Sequence, residues 1–134
     1  MMSLPSTYLG RALSGFIIAL VIGVAVVAIY KTLWAFIRGV PLLALWGNAS
    51  IFQVMIASAP FLLLALVDIR ARRPWKVALI LTITFWSFYA YVISRPYEGG
   101  GANIGLGILM MFSPLPIAGA SLLSLRTPGR RWRR

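Results

Sequence analysis

Four long runs of this chain carry no charged side chain: Ala12 to Tyr30, Gly39 to Val67, Val77 to Ser94 and Gly99 to Leu125. A charge at the centre of a bilayer costs several kcal/mol, and a helix needs about 20 apolar residues to cross the hydrocarbon. Without water, every backbone N–H and C=O must be paired within the segment, which a helix achieves. The runs therefore predict an all-α, polytopic membrane protein: a bundle of four transmembrane helices with short loops. Composition closes the alternatives. The chain is 60% apolar and 11% charged, whereas soluble domains are about 45–50% apolar and about 25% charged. Its wealth of Leu, Ile and Val also excludes a disordered basic segment.

The expected helices cover residues 12–37, 50–67, 77–94 and 102–125 of a single integral membrane domain spanning 1–134, with a basic tail over 126–134. The second run is too long for one span. Pro41, Gly47 and Asn48 mark residues 41–48 as an interfacial loop or short re-entrant piece, after which Ser50 is the expected N-cap. Val26, Val27 and Ala28 could pass for a secretory cleavage site. Against that, the apolar core is long, only Arg11 precedes it, and Gly15, Ala19 and Gly23 form a small-residue stripe at four-residue spacing. Such a stripe suits close helix packing, inside the protein or between two copies.

Orientation follows from the basic residues. With four spans and the N-terminus inside, ten of the 13 Lys and Arg fall on the inner side: Arg11, Arg70, Arg72, Arg73, Lys76, Arg126, Arg130, Arg131, Arg133 and Arg134. Lys31, Arg38 and Arg95 fall outside. Both termini are expected in the cytoplasm. Trp34, Trp46, Tyr89, Tyr91 and Tyr97 would lie near the outer interface, and Trp75 and Trp132 near the inner one, as amphipathic rings prefer. Lys31 and Arg38 share a face of the first helix and are expected to snorkel outward as anchors. Short loops, compactness and 11 Arg to 2 Lys suggest a bacterial inner membrane.

Three prolines interrupt the spans: Pro60 in the second, Pro114 and Pro116 in the fourth. Each removes a backbone bond and frees a carbonyl four residues earlier, at Ile56, Met110 and Phe112. Ser58, Ser113, Thr82, Thr84 and Ser87 are candidate donors to them. Interrupted helices can line a substrate site, or simply kink for packing. Pro60 and Pro116 each precede an arginine by ten residues, and a basic stretch with Pro and Trp follows both, a slight sign of internal repetition.

Arg38, Gln53, Tyr89, Arg95 and Asn103 all belong to outer helix ends, so they form a candidate outward-facing pocket for an anionic group. The simpler reading is a set of interfacial anchors and interhelical hydrogen bonds. The glycines 99–101, with no following Lys-Ser or Lys-Thr and no strand before them, are not a phosphate loop. Gly101 and Gly105 are expected at a close helix contact. Asn48-Ala49-Ser50 fits the glycosylation pattern but abuts the membrane. At the inner face, Arg70, Arg72, Arg73, Lys76, Arg126, Arg130, Arg131, Arg133 and Arg134 are candidate contacts for anionic lipid, ahead of nucleic acid. Asp68 and Arg72 stand at ion-pair spacing.

Chemistry is limited by what is missing. The chain has no His and no Cys, and its carboxylates are Asp68 and Glu98 alone. That inventory is poor for acid–base or nucleophilic catalysis and for metal ligation, so neither an enzyme nor a cofactor is expected. No span carries a carboxylate, which disfavours a proton-coupled carrier. The expected function is an accessory or assembly component, held by small-residue packing and joined to a membrane-protein partner or to further copies of itself. The alternative is an oligomeric small-solute or ion pore or transporter, including a holin-like permeabilising protein. A reporter fused after Arg134 should behave as cytoplasmic; a periplasmic signal would overturn the span count or the orientation.

Overall fold

The structure is a computed structural model of the chain and describes residues 6–69, 71–95, 98 and 103–126. Among the described residues there is no strand, and four helical columns are long and apolar enough to cross a membrane. The first three columns are α1 (Ser6–Arg38), α2 (Asn48–Leu66) and α3 (Arg72–Ser94). The fourth is made of α4 (Ile104–Phe112) and α5 (Pro114–Leu123), and a 3-10 turn, Leu42–Leu45, lies between α1 and α2. α1 packs along α2, α5 packs on α2 and α3, and α3 closes the ring against α1.

What joins α1 to α2 is the absence of side chains. A Cβ on Gly15 would come 2.9 Å from Ala65 Cβ, and one on Gly23 would lie 3.0 Å from the Val54 carbonyl and overlap the Ser58 hydroxyl. Ala19, between them, is fully buried in a cluster with Phe61, Leu64, Ala78 and Ile117. The stripe Gly15, Ala19, Gly23 is thus used inside the chain, at the seam of its longest helix pair. A second cluster, nearer the end of α1, gathers Val27, Tyr30, Ala57, Trp86, Tyr89 and Met110 among others.

The helix ends differ from expectation for identifiable reasons. α1 starts six residues early and takes Arg11 into the helix, because the edge of an apolar run marks a depth in the bilayer and not a backbone stop. α3 likewise starts at Arg72; Pro74 falls in its first turn, where a missing N–H costs nothing. α2 starts at Asn48 with Gly47 as N-cap. Ser50 is therefore three residues inside the helix, where its Oγ accepts from the Gly47 N–H at 3.0 Å, half of a capping box. The expected fourth helix is two. Pro114 removes the bond to Met110 O, and Ser113 supplies the replacement, its Oγ donating to that carbonyl at 2.8 Å. Ser113 keeps helical dihedrals (φ −53, ψ −33), so the interruption is a kink and not a loop. Pro60 leaves α2 continuous.

Two turns close their helices through left-handed residues. Gly39 (φ 65) ends α1, with Val40 N–H reaching Ala35 O at 3.2 Å. Asp68 (φ 52) ends α2: its N–H reaches Ala65 O at 3.1 Å and that of Ile69 reaches Leu64 O at 3.0 Å. The second pair is a Schellman motif, in which Asp replaces the usual Gly. The Trp75 indole N–H then donates to Ile69 O at 2.8 Å, fixing α3 to the end of α2.

Gly23→Leu should separate α1 from α2, destabilising the fold by about 1–3 kcal/mol, the usual effect of overpacking. Gly10→Leu, where an added Cβ meets nothing within 4 Å, should change stability by less than about 0.5 kcal/mol. Reversible unfolding in mixed micelles measures both.

Candidate functional site

Lys31 is the least expected residue of the fold. It is 5% exposed, its Nζ donates to Leu45 O at 2.6 Å, and the ammonium lies 5.7 Å from the centre of the Trp46 ring. Leu45 O also accepts from Ser50 Oγ at 3.3 Å. The outward snorkelling expected for Lys31 is therefore corrected: the segment after α1 folds back over it and offers a carbonyl and a π face, which substitute for water. The 3-10 turn that provides this cover buries none of its own side chains.

The five residues of the expected outer pocket have separate neighbours. Arg38 donates to Ile93 O at 3.4 Å, and Arg95 lies over the Tyr91 ring and donates to its hydroxyl. Both cations thus sit at the C-terminal end of α3, where the helix dipole favours positive charge. Asn103 caps α4, its Oδ1 accepting from Leu106 N–H at 3.0 Å. Tyr89 is buried against Tyr30 and Trp86, ring centres 5.6 Å from each. Gln53 Oε1 and Trp34 Nε1 are buried without a partner. Gly105 makes no close helix contact, since an added Cβ would meet only Asn103 at 3.7 Å; Gly101 lies outside the described residues.

Hydroxyls that could have lined a pathway are spent on their own helices. Ser58 donates to Val54 O, Thr84 to Ile80 O and Ser121 to Ile117 O, at 2.7, 2.8 and 2.6 Å. Ser58 therefore does not serve the Ile56 carbonyl freed by Pro60. Thr82 Oγ1 is buried and unpaired, close to the middle of α3. The bundle axis is filled by Phe61, Leu64, Val27 and Trp86.

Clefts open sideways instead. The one between α1 and α3 has a volume of about 220 Å³ and is lined by Ile22, Ile29, Ile83 and Trp86, with Ala25 and Ala90 leaving room and Ser87 as its polar group. Its depth comes from the aromatic knot, in which Tyr30 and Trp86 are 5.3 Å apart at 60°. The kink at Ser113 leaves an apolar cleft on each side of the fourth column, one against α2 and one against α3. At the opposite end from Lys31, a fourth cleft is lined by Arg11, Ser14, Asp68 and Trp75. Sequence spacing alone does not group these four residues. The spacing of Arg11, Gly15 and Ile18 on one helix face was legible, but nothing local told that the Asp68 turn would fold against it.

Of the expected inner lipid contacts, Arg72, Arg73, Lys76 and Arg126 are exposed at that same end. Arg70, Arg130, Arg131, Arg133 and Arg134 lie outside the described residues. Comparisons with known proteins identify no relative: no family model, no curated protein and no solved structure matches the chain.

Lys31→Met keeps the stem of the side chain and removes its donor. It should free residues 41–47, raising their amide exchange and lowering stability by about 1.5–3 kcal/mol, the usual net worth of a hydrogen bond from a charged donor. Unchanged protection of that segment would show that the loop is held by other contacts.

Proposed function

We propose that this chain is an accessory or assembly component of a membrane complex, in a bacterial inner membrane with both termini in the cytoplasm, and that it docks against a transmembrane helix of another protein. The observation that carries this reading is the side-opening cleft between α1 and α3. Helices associate in lipid through close packing and occasional hydrogen bonds, since burial in hydrocarbon gains nothing over lipid. Ala25 and Ala90 offer the close approach, and the Ser87 hydroxyl offers the bond. The basic surplus of the inner side supports the orientation, and the lack of His and Cys supports a binding role over an enzymatic one.

The pore reading draws less support. A pathway needs polar groups along the axis, whereas Ser58, Thr84 and Ser121 are closed onto carbonyls of their own helices and the centre is filled by large apolar side chains. An anion pocket at the outer end draws little either, with Arg38 held on the Ile93 carbonyl and Arg95 on the Tyr91 hydroxyl.

A photo-crosslinker at Ile83, within the cleft, should join the chain to a membrane protein of different mass in one-to-one ratio. The same probe at Leu123, on α5, should not. Ala25→Leu with Ser87→Leu, both at exposed positions of the cleft, should fill it and abolish the adduct while the bundle still folds. Adducts only with a second copy, or ion conductance by the purified chain in liposomes, would overturn the proposal.

A further inference from the structure

The cleft at the Arg11 end differs from the others in carrying charge of both signs. Its volume is about 240 Å³; Arg11 and Ser14 of α1 form one wall, Asp68 and the Trp75 indole the other, and Gly15, Ile18 and Ala65 an apolar floor. The walls are fixed independently of any ligand. Tyr8 donates from its hydroxyl to Leu66 O at 3.1 Å, tying α1 to the end of α2. The Trp75 indole is held on Ile69 O. Ser14 Oγ donates to Arg11 O at 2.9 Å, which leaves its lone pairs turned to other donors. Gly15 lets the walls approach, because a Cβ there would press on Ala65.

A simple anion in this cleft would meet the Asp68 carboxylate, and a simple cation would meet the Arg11 guanidinium. A ligand that carries an anion and a cation a few atoms apart satisfies both walls. Guanidinium suits phosphate oxygens, which it can bind through two N–H groups. A carboxylate accepts in about four directions, so it can take an ammonium in addition to its existing contact. Along α1 and α2 the apolar floor lies toward mid-helix from Arg11 and Asp68, and its exposed Ile18 is where the glycerol and first methylenes of a lipid would follow the headgroup. We infer that this cleft binds a phosphoethanolamine group, its phosphate on Arg11 and its ammonium on Asp68, carried by a phospholipid. The site is independent of whether a partner helix occupies the cleft between α1 and α3.

Native mass spectrometry of the full chain, given equal amounts of phosphatidylethanolamine, phosphatidylglycerol and phosphatidylcholine, tests the inference. The ethanolamine lipid should be retained over both others, since choline has no N–H to donate and glycerol has no positive charge. Arg11→Gln should lower its retention by roughly tenfold or more, the loss expected for charge-assisted bonds, and Arg11→Lys should restore part of it. Asp68→Asn, which keeps a residue tolerant of the left-handed turn, should reverse the preference toward phosphatidylglycerol. General attraction to a basic face would instead leave the ethanolamine lipid unaffected by Asp68→Asn, and that outcome overturns the inference. Equal retention of the three lipids by the unaltered chain also overturns it. Soluble glycerophosphoethanolamine distinguishes the source: failure to displace the lipid at equal concentration supports a lipid-borne group, and full displacement would overturn the lipid assignment.

Discussion

The close approach of α1 and α2 is the contact on which the rest of this bundle depends. In water, two apolar helices would be driven together by burial alone; in hydrocarbon that force is absent, and contact area at short range must replace it. Gly15, Ala19 and Gly23 provide that range, with Ala65 and Ser58 opposite. Once the two helices are in register, the Phe61 and Leu64 side of α2 is presented to Ala78 of α3 and Ile117 of α5, and the second pair of columns has a surface to pack on. Register at one end also sets the other, because the same alignment brings Lys31 level with Ser50 and the Leu45 carbonyl.

Much of this architecture was legible in the chain, and the limits of that legibility are physical. Charge-free runs revealed four helices long and apolar enough to cross a membrane, because desolvation penalties are local to each residue. The small-residue stripe and the proline positions were visible for the same reason, and Ser113 was one of five candidate donors to the freed carbonyls, of which the structure pairs it with Met110 O. Helix ends were less visible, since Arg11 and Arg72 mark where an apolar run stops and say nothing of where backbone hydrogen bonding stops. Ser50 has the composition of an N-cap yet acts from inside the first turn. Long-range pairings were beyond reach: nothing near Lys31 shows that residues 42–46 return to cover it, and nothing near Arg11 shows that Asp68 stands opposite.

Polar side chains in this protein divide by destination. In mid-span, Ser58, Thr84 and Ser121 bond to carbonyls one turn back on their own helix, which satisfies them cheaply but slightly bends or loosens the backbone. Those at the ends fasten one element to another: Tyr8 to α2, Trp75 to the α2–α3 turn, Arg38 to α3. The middle of the bundle is therefore held by shape and its ends by hydrogen bonds. The clefts fall where neither device is complete, along the flank between α1 and α3 and at the Arg11 end of α1.

The burial of Lys31 also bears on how the chain is assembled. Removing an ammonium from water without a partner is prohibitive, and the partner of this one comes from the segment that follows α1. Until residues 42–46 have turned back, the end of α1 must keep its charge hydrated; only with α2 alongside can it settle. The end of α1 and the segment that follows it therefore settle as one unit, since a chain cut short before Leu45 would leave Lys31 without its carbonyl partner.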